Sequence, residues 1–177
     1  MGKSNIDIKN KVLQGPAAGE VTLSTGIIAG YGGVEVVTFT VPSTTQAVTA
    51  AALSFGKSLG TLPKGKIFVH AVELDLDYVA STATTAQMDI GVGTVLASGV
   101  HATLNVATNE DCLDGQTSTA LAGTASVNYP IAAVGEVDLK DGSATAKELF
   151  LNLAGTFVGS MNIIYSGNVT VVYSVFN

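Results

Sequence analysis

KIFVHAVELDLDY, residues Lys66–Tyr78, alternates from Phe68 onward. Phe68, His70, Val72, Leu74, Leu76 and Tyr78 fall on one side, and Val69, Ala71, Glu73, Asp75 and Asp77 on the other. Side chains of a strand repeat every two residues, so this pattern predicts one strand with a buried face and a wet face. The wet face then carries three carboxylates, at i, i+2 and i+4.

Working outward, a chain of 177 residues is most simply one domain with a tail, and is long enough to bury a substantial core. Hydrophobic residues make up 47% and charged residues 12%. Low charge with high apolar content argues against disorder and for a small, neutral surface suited to packing against other subunits. The net charge is −6 and arginine is absent, which argues against nucleic-acid binding, where basic patches and arginine forks dominate. Cys112 is the single cysteine, so neither an internal disulfide nor a cysteine-based metal site is available. The start, MGKSNIDIKNK, is polar, with no apolar run behind it. A signal peptide or membrane span is therefore not expected, and synthesis and folding in a cytoplasm are.

Residues 1–18 read as an N-terminal arm ending at Gly15-Pro16, and residues 19–177 as the folded domain. Expected strands are Glu20–Thr25, Val34–Val41 stopped by Pro42, Gln46–Phe55, the Lys66–Tyr78 stretch, Gln87–Gly91 and Gly93–Ala97. Val127–Ala133, Gly135–Leu139, Glu148–Ala154, Gly159–Ile164 and Val169–Phe176 complete the set. Leu149, Leu151 and Leu153 share one face. Gly56–Gly65 and Asn109–Thr119 read as loops, and Ser166-Gly167 as a turn. About eight to ten short strands with glycine, proline, asparagine and aspartate turns and no convincing long helix predict an all-β antiparallel sandwich or jelly roll with an extended N-terminal arm. Val169–Phe176 is apolar almost throughout, so it belongs in the middle of a sheet or under a neighbouring subunit rather than at a bare edge.

No motif carries chemistry on its own. Gly56-Lys57-Ser58 resembles the tail of a phosphate-binding loop, but the earlier glycine is Ala51 and no βαβ context surrounds it. Gly91-Val92-Gly93 lacks the third glycine of a dinucleotide site and reads as a turn. Glu73, Asp75 and Asp77 invite calcium, yet side chains two apart on a strand stand roughly 7 Å apart and cannot chelate one ion unaided. A solvated, edge-guarding face is the plainer reading. The Asn109–Asp114 loop lacks EF-hand spacing. His70 reads as packed on the apolar face, and His101 lies in a small-residue segment. Cys112 has no flanking base to activate it. Asn168-Val169-Thr170 fits a glycosylation acceptor but requires a secretory route. Neither catalysis nor a cofactor is expected.

Four stretches together resemble the decoration, or cement, proteins of tailed bacteriophage heads. They are Val69–Tyr78, Asp89–Thr94 (DIGVGT), Ser143–Ala154 (SATAKELFLNLA) and Gly167–Phe176. The order and spacing match from about Val34 to the C-terminus, and SATAKELFLNLA is the most specific piece. The arm does not align. The resemblance implies a small β-sandwich on the outer surface of the capsid, bound to the major capsid protein and commonly trimeric. It brings no catalytic residues, no direct nucleic-acid contact and no membrane. The alternative is a glycan- or host-surface-binding sandwich on the head or tail, which wants exposed aromatics. Aromatics are only 6% here, without tryptophan, and Tyr78, Tyr165 and Tyr173 sit in strand-like contexts. The arm holds Lys3, Lys9 and Lys11, leaving five lysines against thirteen carboxylates once Asp7 is set aside with it. A basic extended arm on an acidic body reads as an anchor to the shell or to the next subunit.

Overall fold

The computed structural model describes residues 22–27, 34–82, 84–104, 107–118, 120–121, 127–133 and 139–176. The expected arm 1–18, with Lys3, Lys9 and Lys11, lies outside the described residues, as do 28–33 and 134–138. The strands are β1 (Thr22–Ile27), β2 (Val34–Val48), β3 (Ser54–Thr61), β4 (Lys66–Ala80) and β5 (Met88–Gly93). They continue with β6 (Leu113–Thr117), β7 (Val127–Ala133), β8 (Leu139–Asp141), β9 (Glu148–Gly155) and β10 (Met161–Phe176).

All pairings are antiparallel. One sheet has the order β1-β2-β10-β4-β7, with β8 also on β4; the other has the order β3-β9-β5-β6. Leaving aside β1 and β8, the sheets are 2-10-4-7 and 3-9-5-6, the jelly-roll succession in which the chain passes repeatedly from one sheet to the other. The expected all-β antiparallel sandwich is therefore the fold.

One core lies between the sheets. From the larger sheet come Val37, Phe39 and Val41 of β2, Leu74, Leu76 and Tyr78 of β4, and Ile163, Tyr165, Val169 and Val171 of β10. The smaller sheet answers with Phe55, Met88, Ile90, Val92, Leu149, Leu151 and Leu153. The three leucines of β9 are each 0% exposed, so the inward face expected for that segment is correct. The terminal apolar run is also where it was expected: β10 is paired with β2 on one side and β4 on the other.

Several sequence expectations are corrected. Pro42 does not stop β2. The strand continues to Val48, and Pro42 and Ser43 fall in a register shift opposite Ser166, where a missing amide hydrogen interrupts no ladder bond. Gln46–Phe55 is therefore not one strand: β2 ends, a tight turn at Thr49–Ala52 follows, and β3 begins at Ser54. Most of the expected Gly56–Gly65 loop is β3, paired along β9, so Gly56-Lys57-Ser58 lies in a strand. Gly91-Val92-Gly93 is likewise strand, the end of β5, and β6 occupies part of the expected Asn109–Thr119 loop. Ser166-Gly167 is no turn, because β10 runs through it. Gly167 has φ of +140°, and a Cβ there would lie 2.1 Å from the Asp75 carbonyl oxygen, so this crossing admits only glycine.

The alternation of β4 also changes phase. Ala71 lies opposite Val172 and Val69 opposite Tyr173, so His70 is an extra, bulged residue. Before the bulge, Ile67 and Val69 point inward; after it, Val72, Leu74, Leu76 and Tyr78 do. Phe68 and His70 thus stand on the outer face, half-buried, with rings in an edge-on arrangement at 5.1 Å. His70 is packed, but outside the core, with Nε2 hydrogen-bonded to Ser174 Oγ.

Leu151 is fully buried between the sheets at the centre of β9, and an unpaired carboxylate there costs several kcal/mol. Leu151→Asp is expected to abolish the folded state at 25 °C. The check is loss of the cooperative melt followed by circular dichroism; an unchanged melt contradicts the inward register of β9.

Candidate functional site

Two polar constellations stand out, one on the outer face of each sheet. On the larger sheet, register places Thr38, Thr170 and Glu73 in one cross-strand row and Thr40, Asn168 and Asp75 in the next. The hydroxyls of Thr38 and Thr170 are 3.0 Å apart, and Thr40 Oγ1 donates to Asn168 Oδ1 at 2.9 Å. These six residues line a shallow polar depression of about 370 Å³. Asp77 continues the carboxylate row opposite Ser166. Glu73, Asp75 and Asp77 are all exposed, as expected for a wet face.

The spacing keeps these carboxylates from acting as one metal site. Among the described residues, no group of three or more histidine, cysteine or carboxylate side chains is arranged to hold a metal ion. His101 is exposed, while Cys112 is buried beside Asp111. Asn168, first residue of the glycosylation-like triplet, lies in the middle of β10 with its side chain engaged by Thr40.

The second constellation went unread in the sequence. Between β5 and β6, the described residues 94–104 and 107–112 lie over the outer face of the smaller sheet. Asn152 and Ala154 of β9 point to that face, yet both are 0% exposed because this segment covers them. The Asn152 side chain holds it down. Its Oδ1 accepts from the Ala97 amide at 2.9 Å, and its Nδ2 donates to the carbonyls of Val95 at 2.9 Å and Asn109 at 2.7 Å. Asn109 Nδ2 also donates to Val95 O at 2.9 Å. Gly93 makes the fit possible, since a Cβ there would lie 2.3 Å from the Asn109 carbonyl carbon. Ala97, Leu104 and Ala154 form a small second core beneath the segment.

Carboxylates complete this network. Asp111 accepts from the Thr94 amide at 2.7 Å and from the Thr94 hydroxyl at 2.8 Å, and pairs with Lys140 at 3.1 Å. Lys140 is 5% exposed, so this ion pair is shielded from solvent. Asp89 accepts from the Leu104 amide at 2.7 Å, and Glu110 from the Gly115 amide at 2.8 Å. Burial raises the Glu110 carboxyl above its usual range; the Gly115 amide opposes this, and nearby Asp89 and Asp114 add to it. These groups fix a covering segment on the smaller sheet. The signal in the sequence was the lone asparagine in the leucine-rich run ELFLNLA.

The tyrosines expected in strand-like contexts are buried: Tyr78 and Tyr165 are each 1% exposed and Tyr173 is 4% exposed. The exposed large apolar side chains among the described residues are Val95, Leu96, Val100, Val158 and Phe176. Phe176 closes β10 opposite Lys66.

No protein-family model matches the chain, and no curated protein matches it. Among solved structures it is similar to a chain in the structure of infectious bursal disease virus Gx strain. That likeness has 11% sequence identity and a TM-score of 0.41, and covers 78% of this chain and 32% of that one. This chain thus spans about a third of the length of that chain.

Asn152→Leu keeps the branching of the side chain but removes its polar atoms, orphaning the Asn109 carbonyl and the Ala97 amide under the covering segment, while the Val95 carbonyl keeps Asn109 Nδ2. About 3 kcal/mol is expected to be lost, a fall of roughly 6–12 °C in Tm, with new protease cleavage within 94–112. Limited proteolysis beside a thermal melt checks it. For Glu110, a raised carboxyl means that the folded state binds its proton more tightly than the unfolded chain. Stability from this group is therefore lost as pH rises through its titration. Glu110→Gln, which keeps an acceptor for Gly115, is expected to melt higher than the parent at pH 7, with the difference vanishing near pH 4. Paired melts at the two pH values check the sign.

Proposed function

We propose that this chain is a structural protein of a virus particle, a decoration protein that binds the outer surface of the major capsid shell and stabilises a phage head. The observation that carries this reading is the strand order, 2-10-4-7 facing 3-9-5-6. The jelly roll serves viral capsid proteins, among other classes. Fold alone does not specify function, so the reading also rests on the stretches that resemble decoration proteins. SATAKELFLNLA supplies β9 up to Ala154, inside the smaller sheet, and Gly167–Phe176 supplies the C-terminal part of β10.

The polar cluster on the smaller sheet supports a non-enzymatic role, because it holds the covering segment in place rather than converging on an open cleft. The glycan-binding alternative gains little from the buried tyrosines. In this reading the partners are the major capsid protein and further copies of this chain, as a homotrimer. The location is the virion exterior, after synthesis in the host cytoplasm. The arm with Lys3, Lys9 and Lys11 is an anchor to the shell or a neighbouring subunit. Many weak contacts repeated over a lattice give firm attachment without a deep pocket.

Purified chain added to heads lacking their own decoration protein is expected to bind saturably, and to raise the temperature at which the heads release DNA. Chain lacking residues 2–14 is expected to bind more weakly, with the loss changing with salt. Absence of saturable binding by the full chain overturns the reading. Equal binding by the truncated chain at every salt concentration removes the arm from it.

A further inference from the structure

Five lysines fall among the described residues, and they are not spread evenly. Lys140 is buried against Asp111, and Lys57 lies within β3. The other three, Lys64, Lys66 and Lys147, gather at one end of the sandwich. The Leu62 amide donates to the Lys147 carbonyl at 2.8 Å and the Gly142 amide to the Gly65 carbonyl at 2.8 Å, tying the 62–65 and 142–147 segments together. Lys66 lies opposite Phe176 in the β4–β10 pairing, and Phe176 is 55% exposed. Lys64 and Lys66 line a hollow of about 320 Å³ with Gly65, Ser143 and Phe176. Asp141 also belongs to this end, and its carboxyl is held below the usual range, first by Ser143 and then by Lys66 and Lys147.

The complementary surface is on the same molecule but out of reach. Lys66 and Glu73 are seven residues apart on β4, about 23 Å along a strand, and a lysine side chain spans only a fraction of that. The acidic rows at Glu73, Asp75 and Asp77 cannot meet this basic end within one chain. They can meet it between two.

We propose that the basic end of one copy, Lys64, Lys66 and Lys147 with Phe176, docks on the acidic outer face of the larger sheet of the next copy, at Glu73, Asp75 and Asp77. The depression lined by Thr38, Thr40, Glu73, Asp75, Asn168 and Thr170 suits a lysine. Its lining is largely polar, and the Glu73 and Asp75 carboxylates and the Asn168 side-chain oxygen offer acceptors to an ammonium group. The contact joins two different surfaces, so it is head-to-tail, and it builds a ring when the rotation between copies closes. This deepens the homotrimer of the proposed function and orients its subunits, each presenting an end to its neighbour's face.

The test uses the full chain and two sets of reversals, with fold verified by circular dichroism. The parent is expected to associate in low salt, by light scattering and sedimentation, and to dissociate as salt rises. Lys64→Glu with Lys66→Glu, and separately Glu73→Lys with Asp75→Lys, are each expected to raise the dissociation constant at least about tenfold. All four reversals in one chain are expected to restore the parent's association, because both surfaces change sign together. An equimolar mixture of the two double variants is expected to assemble alternately, giving even-numbered complexes and no trimer. A parent that stays monomeric at high concentration in low salt overturns the proposal, as do double variants that associate like the parent, or a fourfold variant that stays apart. A monomer that still decorates heads would overturn this contact and leave the decoration reading standing.

Discussion

Strand β10 must be paired on both edges from Ile163 to Ser174 while its inner face supplies the centre of the core, and most of the architecture follows from that requirement. Three strands of fifteen or sixteen residues twist, and twisted strands of that length do not stay in step without local adjustment. The adjustments are placed where the side chains permit them. Gly167 allows the β10 backbone close to Asp75 of β4, Pro42 sits where no ladder hydrogen is needed, and His70 takes the extra position in β4. Each keeps the apolar side chains on the core side while the backbone changes register.

The smaller sheet solves a different problem. Its strands are short, and one of them puts an asparagine and an alanine on the face turned away from the core. The 94–112 segment makes that face an interior. Asn152 satisfies backbone groups that burial would otherwise leave without partners, and the shielded Asp111–Lys140 pair ties the segment to β8. The sandwich therefore has two unlike outer surfaces. The larger sheet shows water a polar face of threonines, asparagine and carboxylates; the smaller one is partly covered by its own chain and exposes Val95, Leu96 and Val100 along that cover.

Charge is polarised along the long strands in the same way. β4 begins at Lys66, beside Lys64, and carries Glu73, Asp75 and Asp77 further on, so one strand runs from the basic end to the acidic face. Ordinary surface ion pairs contribute little singly. An arrangement repeated at every contact of a ring or lattice gains more, because one docking event brings several charges together and excludes misdocked orientations.

The sequence by itself determined the class of fold, the inward leucines of β9, the central place of Val169–Phe176 and the wet carboxylate face of β4. All of these follow from a period of two and from the cost of exposing apolar surface, which are local properties. Only the tertiary structure decided the phase change at His70, the passage of β2 through Pro42 and of β10 through Gly167, and the conversion of expected loops into β3 and β6. Register is set by what lies on the neighbouring strand, so a proline or glycine that reads as a stop in isolation becomes a bulge when its neighbour can absorb the slip. The burial of Asn152 was hidden for the same reason: its partners are backbone groups some forty to sixty residues away in sequence. The gathering of Lys64, Lys66 and Lys147 beside Phe176 was equally out of reach, because it depends on which strand ends the jelly roll brings together.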